Sequence, residues 1–285
     1  LPVFYELLEQ LYSAGAEYIQ LDEPCLALNL KDKERNKLSD LYNSIALKFP
    51  QLKIILTNYF DCYGDNLETA LQLPVHALHL DLVRCPLQLD DILESTLYTG
   101  EQILSLGVVD GRNIWRNNFD ASLKLIDKAQ QYLGKDKVWI ASSCSFLHTP
   151  YDLAQENNEE SLPKIVKQWM SFSKQKLREL AVLSQLASDI PTEEAAIELV
   201  KNRLLFIEKK NSELVHHAPT KQRVGSLTDA WSKRNNNFSI RQKKQKQDLN
   251  LPIFPTTTIG SFPQTQEVRS WRSRLKRDEI TQKEY

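Results

Sequence analysis

The sequence predicts an α/β fold of the TIM (β/α)8 type, incomplete in this chain, and three observations carry the expectation. Short apolar strands alternate with amphipathic helices through residue 150, each strand runs straight into a polar cluster, and no GxGxxG or P-loop pattern accompanies them. Strand and helix in alternation build a parallel sheet, closed into a barrel or open and doubly wound. An open sheet binds at one switch point, whereas a barrel gathers its strand C-termini at one mouth. The decorated strand ends favour the barrel.

The elements follow in order. Leu1–Tyr12 reads as a helix, with Pro2 suited to its first turn. Strands are expected at Tyr18–Leu21, Lys53–Thr57, Ala77–Leu82, Ile103–Val109 and Val138–Ala141, with amphipathic helices such as Lys33–Phe49 and Asp120–Leu133 between them. The polar clusters behind the strands are "DEPC" at 22–25, "NYFDC" at 58–62, "DLVRC" at 81–85, "DGRN" at 110–113 and "SSCS" at 142–145. Period-2 alternation points Ala77, His79 and Asp81 to one side and His76, Leu78, Leu80 and Leu82 to the other, which packs on helices. By the same rule Gln20 with Asp22, Ile54 with Asn58, Ser105 with Gly107, and Ser142 with Cys144 point inward.

After Thr149 the pattern turns helical. Glu159–Ala187 reads as one long amphipathic helix, and Thr192–Lys210 as another, with Thr192 as N-cap and two carboxylates in its first turn. From Lys221 to Gln247 the chain is basic and rich in Asn and Gln, a surface linker. "PIFPTTTIGSFPQT" at 252–265 then reads as a short strand, Thr256–Ile259, entering a turn at Gly260-Ser261.

The 285 residues carry 41% hydrophobic and 26% charged side chains with a net charge of −1. That balance excludes a nucleic-acid or membrane-surface specialist. The basic "RQKKQKQ" run lacks interleaved aromatics, so a linker outweighs a nucleic-acid arm. No apolar run reaches the roughly 18 residues of a transmembrane helix, and the expected location is cytoplasmic. Cys25, Cys62, Cys85 and Cys144 form no CxxC pair and no disulfide-framework spacing, which fits reduced thiols. The first residue is Leu1, and the chain reads as cut from something longer.

Several residues can carry chemistry, each with a plainer reading beside it. Asp22 and Glu23 at a barrel mouth can hold an ammonium or a cation, or Asp22 can accept loop N–H bonds. Asp81 with Arg84 suits an anion or metal feature, but an internal salt bridge more readily. The cysteines lie near strand ends, where a soft-metal site is conceivable; buried structural thiols account for them better. Cys144 and His148 make only a weak dyad pattern.

The runs "YIQLDEPCL", "LHLDLVR", "LSLGVVDGRNIWRNN", "WIASSCSFLHTPYDL" and "LPIFPTTTIGSFPQTQEVRSWR", in this order along essentially the whole chain, resemble cobalamin-independent methionine synthase. That family joins two TIM barrels through a long linker and moves a methyl group from 5-methyltetrahydropteroyl-polyglutamate to homocysteine, which attacks as a zinc-bound thiolate. The resemblance implies that residues 1–215 are the latter part of the N-terminal barrel, 216–253 the linker and 254–285 the start of the catalytic barrel, against which the first barrel packs. It implies that Ile259, Gly260 and Ser261 touch homocysteine. The zinc ligands and the general acid fall beyond Tyr285, so no zinc or catalytic residue is expected within this chain, and the fragment alone should be inactive. Compared with the family's catalytic barrel, the His-x-Cys ligand pair falls here at Asn58 and Phe60, the Glu ligand at Asp81, the last Cys at Cys144, and the general-acid His at Arg112. A Glu six residues after the Asp of "DEP" is replaced by Leu28. These positions, with Asp22, mark a degenerate site. A non-catalytic scaffold or binding module is the alternative reading.

Overall fold

The computed structural model describes residues 2–158, 160–257, 260 and 264–285, and divides them into two compact units, Leu1–His216 and His217–Tyr285. The first unit opens with helix α1 (Pro2–Ser13). Strands β1 (Tyr18–Asp22), β2 (Lys53–Thr57), β3 (Ala77–Asp81), β4 (Ile103–Val109) and β5 (Val138–Ser142) follow, separated by α2 (Asp32–Lys48), α3 (Leu67–Gln72), α4 (Gln88–Leu93) and α5 (Phe119–Leu133). All neighbouring strands are parallel, and their order in the sheet is their order in the chain. The order never reverses, so the sheet has no switch point and is the wall of an incomplete (β/α)8 barrel.

Curvature supports the same conclusion. Five flat strands spaced about 4.8 Å apart would hold their edges roughly 19 Å from each other. Here the rings of Tyr18 on β1 and Trp139 on β5 meet edge to face with centroids 5.9 Å apart, and His76 packs against both. The sheet has curled until its two edge strands share an aromatic contact.

Parallel register explains which residues line the inside. Asp22 pairs with Thr57, Thr57 with His79, His79 with Ser105 and Ser105 with Trp139, forming one inward row. The opposite faces supply Leu56, Leu78, Leu80, Leu104 and Leu106, all fully buried against the helices. Each such leucine contributes about 1.5–3 kcal/mol relative to an exposed one. Ile54, expected to point inward, belongs to this outer core; Ile55 and Thr57 take the inward places. Ile54, Ile55 and Leu56 run consecutively in that strand, so its pattern alone does not fix the phase.

Beyond β5 the expected single helix over 159–187 is two, α6 (Lys164–Gln168) and α7 (Ser173–Leu186). Between them Ser171 N–H donates to Ile114 O at 2.8 Å, Trp115 forms an antiparallel bridge with Met170, and Phe172 is extended. Pairing with the β4 loop thus outcompetes helix continuation. Helix α8 (Glu193–Asn211) begins where expected, with Thr192 Oγ1 accepting Ala195 N–H at 3.2 Å.

The second unit contains α9 (Ala218–Gly225), α10 (Phe238–Leu249) and α11 (Gln266–Lys276), so the basic stretch is helical in part. Of the expected strand Thr256–Ile259, residues 256 and 257 are not strand, and Thr258 and Ile259 lie outside the described residues.

Candidate functional site

The inward faces of the five strands enclose a cavity of about 590 Å3, lined at its polar end by Asp22, Thr57, Tyr59, His79, Ser105 and Cys144. His79 is its best-anchored member. Its Nδ1 lies 3.0 Å from Ser105 Oγ and its Nε2 3.3 Å from Ser143 O. A carbonyl can only accept, so Nε2 carries the proton and Nδ1 accepts from the Ser105 hydroxyl. Burial pushes His79 below the ordinary histidine value, so the neutral ring is the resident form. Thr57 Oγ1 is buried without a partner in the protein and is among the lining residues.

Asp22 sits at the open rim. Its carboxylate accepts Gln20 Nε2 at 2.7 Å and Tyr59 OH at 3.4 Å, so side chains of β1 and the β2 loop hold it. Glu23 turns away from the cavity, accepting Tyr42 OH at 3.1 Å. Asp81, only 2% exposed, ties two loops together. Oδ2 accepts Phe60 N–H at 2.9 Å, and Oδ1 accepts Val83 and Arg84 N–H at 3.2 and 3.0 Å. The anticipated Asp81–Arg84 salt bridge is therefore a bond to the Arg84 backbone, not to its guanidinium.

The remaining candidates surround Phe60. Its φ of 78° lies in the left-handed region that a bulky side chain rarely enters. Arg112 stacks over its ring at 4.4 Å and His148 packs edge-on at 5.7 Å. Cys144 is buried beneath Gly111, where an added Cβ would come within 2.9 Å of Sγ, and burial raises its thiol above the usual value. His148 contacts Phe60 rather than this thiol, which leaves the Cys144–His148 dyad without a hydrogen bond. Asn58 is buried outside the cavity lining, with Nδ2 a long 3.5 Å from Asp61 O. Leu28 is 64% exposed.

These residues do not suit zinc. Asn58 and Phe60 offer no soft ligand, both Asp81 oxygens are occupied by N–H donors, and Cys144 is held toward its protonated form, whereas the metal needs thiolate. Among the described residues no group of three or more His, Cys, Asp or Glu is disposed around a metal position. Of the residues expected at homocysteine, Gly260 is exposed with a φ of 80°, while Ile259 and Ser261 lie outside the described residues.

One expectation about the cysteines is overturned. Cys62 and Cys85 are disulfide-bonded, with Cα atoms 5.4 Å apart, and only Cys25 and Cys144 are free. The two residues are 23 apart in sequence, but β2 and β3 are neighbours in the sheet, so the loops leaving their C-terminal ends meet. Spacing along the chain does not reveal that proximity. His79 and Ser105 line the inside as their strand alternation predicts; Thr57 and Trp139 were not candidates from the sequence, and following that row across the sheet would have found them.

Comparison with known proteins identifies the family. A family model described as the N-terminal domain of cobalamin-independent synthase matches residues 1–134, and one described as its catalytic domain matches residues 254–285. A relative from Flavobacterium johnsoniae is 53% identical over 285 residues, covering 100% of this chain and 37% of that protein. Relatives from Cytophaga hutchinsonii and Xylella fastidiosa (strain 9a5c) are 47% and 45% identical, each covering 100% of this chain and 37% and 36% of their own lengths. All three are named 5-methyltetrahydropteroyltriglutamate–homocysteine methyltransferase, and this chain spans little more than a third of each. With two domain models matched in order and more than half of all positions identical to one relative, the chain belongs to the cobalamin-independent methionine synthase family.

Proposed function

We propose that the complete protein carrying this sequence is a cytoplasmic, zinc-dependent methyltransferase that makes methionine from homocysteine and 5-methyltetrahydrofolate polyglutamate. The observation that carries the reading is identity of 53% running unbroken from the barrel, through the basic segment, into the piece matched by the catalytic-domain model. In this reading residues 1–215 belong to the N-terminal barrel, 216–253 to the linker and 254–285 to the start of the catalytic barrel, against which the first barrel packs. Zinc and its ligands belong to sequence beyond Tyr285, since the residues assembled here do not suit the metal.

The role of this chain is then to support and position. Gly260 brings backbone close to the amino-acid part of homocysteine, with Ile259 and Ser261 beside it; a turn N–H and a serine hydroxyl are apt partners for a carboxylate. No nucleic acid and no membrane enters this reading; among the described residues no helix is long and apolar enough to cross a bilayer.

The test measures methionine formation by the complete protein with each substrate varied, and by residues 1–285 alone. The complete protein should turn over and the 285-residue chain should not. Gly260→Val should raise the homocysteine KM about tenfold, as expected for losing one charge-assisted hydrogen bond, and leave the folate KM near its original value. A complete, folded protein that makes no methionine would favour the scaffold reading.

A further inference from the structure

We propose that Cys62 and Cys85 form a reversible dithiol–disulfide couple that fastens the mouth of this barrel. The pair joins the loop after β2 to the loop after β3. Both residues are half-buried, so a small thiol can reach the bond without the chain unfolding. The two free cysteines differ: Cys144 is buried under Gly111, and burial together with the neighbouring Glu23 charge disfavours the Cys25 thiolate.

The position gives the bond a consequence. The same two loops are joined a second time by Asp81, whose Oδ2 accepts Phe60 N–H while Oδ1 accepts Val83 and Arg84 N–H. Cys85 N–H donates to Asp81 O at 3.1 Å, so the disulfide and the carboxylate grip one short segment from both ends. Between them lies Phe60, in a left-handed conformation and carrying the stacked guanidinium of Arg112. A non-glycine residue in that region persists only while its surroundings hold it. Opening the disulfide removes one of its two holds and loosens the Phe60–Arg112 cover at the mouth.

The chemistry balances with a low-molecular-weight thiol as reductant. Its thiolate attacks one sulfur of the pair, a mixed disulfide forms, and the other cysteine leaves as thiolate and takes a proton. A second thiol resolves the mixed disulfide, yielding two protein thiols and one oxidised small-molecule disulfide. Oxidation runs the same exchange backwards with that disulfide as electron acceptor.

The experiment equilibrates the complete protein in reduced and oxidised glutathione mixtures at pH 7, traps free thiols with a maleimide, and maps them by mass spectrometry. The proposal expects Cys62 and Cys85 to gain and lose the label together and reversibly without denaturant. Limited proteolysis between residues 58 and 64 should be about tenfold faster in the reduced protein, and Cys62→Ser should match the reduced wild type in either buffer. Full labelling of both cysteines in the most oxidising buffer overturns it, as does a bond that opens only in denaturant. Separate glutathione adducts on each cysteine without pairing, or a cleavage rate indifferent to reduction, also overturn it. The redox titration uses wild-type protein, so the outcome stands even if a variant fails to fold.

Discussion

Replacing Asp81 separates a structural carboxylate from a ligand-binding one. Its three accepted N–H bonds at 2.9, 3.0 and 3.2 Å join residues on two loops. A bond to a charged acceptor is worth about 1.5–3 kcal/mol, and a buried donor left without an acceptor costs about 1–3 kcal/mol. Asp81→Asn preserves shape but turns one oxygen into a donor. If the remaining oxygen keeps Val83 and Arg84, the amide faces Phe60 N–H, and the loss is about 2–3 kcal/mol. Asp81→Ala strands all three donors; allowing for the relief of no longer burying a charge, about 3–5 kcal/mol is expected. With a urea slope of about 2–3 kcal/mol per molar, the midpoint should fall by about 1 M for Asn and 1–2 M for Ala. Urea titration of the complete protein, followed by a probe in the Leu1–His216 unit, measures both. An unmoved midpoint in Asp81→Ala would refute the structural assignment, and a loss of ligand binding at unchanged stability would return Asp81 to the candidate binding groups.

Three further outcomes follow from neighbouring geometry. A Cβ on Gly107 would lie 2.6 Å from Leu80 O and 2.8 Å from Ser143 Cα, backbone atoms that cannot step aside, so Gly107→Ala should destabilise by at least about 1–3 kcal/mol in a thermal or urea scan. His79 is held below its ordinary value of 6.5 by burial, with the Ser143 carbonyl, Asp81 and Asp22 opposing; as pH falls below 6.5 the unfolded chain takes up a proton that the folded ring refuses. Stability should therefore be fully present above that value and decline below it, by up to about 1.4 kcal/mol per pH unit, and His79→Gln should flatten that part of the profile. Adjacent residues on α8 should differ sharply in chevron or equilibrium denaturation. Buried Asn202 accepts Phe119 N–H at 3.1 Å and donates to Asn117 O at 2.9 Å, so Asn202→Ala should cost about 2–3 kcal/mol, whereas Arg203, paired with Asp120 in solvent, should cost under about 1 kcal/mol.

The parts legible in the sequence were those written in local pattern. The five strands appear within a residue of their expected ends because each is a short apolar run closed by polar residues, and Thr192 is an N-cap because its hydroxyl meets the third N–H of its own helix. What sequence could not show depends on neighbours brought in by the fold. The phase of β2 required its register with β1, since Ile54 and Ile55 are equally apolar. The break at 169–172 required the β4 loop to compete for backbone hydrogen bonds, and the Cys62–Cys85 bond required two strand ends to be adjacent. Arg112 and Asp81 could be named from resemblance, but not the partners that occupy them.

Those partners bear on the idea of a degenerate site. The positions that the resemblance aligns with metal ligands and general acid do draw together around the mouth: Asp81 bonds the Phe60 backbone, Arg112 covers the Phe60 ring, and Cys144 lies under the loop that carries Arg112. A metal site needs side chains with free lone pairs converging on one point. Here the positions converge, but three of the roughly four lone-pair sites of Asp81 accept loop N–H groups, and an aromatic ring stands at one of the positions aligned with a ligand. Restoring zinc binding would therefore take more than supplying ligands at Asn58 and Phe60. Asn58→His with Phe60→Cys would still face an Asp81 that cannot turn toward a metal without abandoning three backbone donors on two loops. The double variant should bind no stoichiometric zinc after dialysis and should lose stability, because Phe60 leaves Arg112 without its stacking partner. Tight, stoichiometric zinc in that variant, with its urea midpoint unchanged, would show that the loop contacts of Asp81 are dispensable and that the mouth remains a metal site lacking only its ligands.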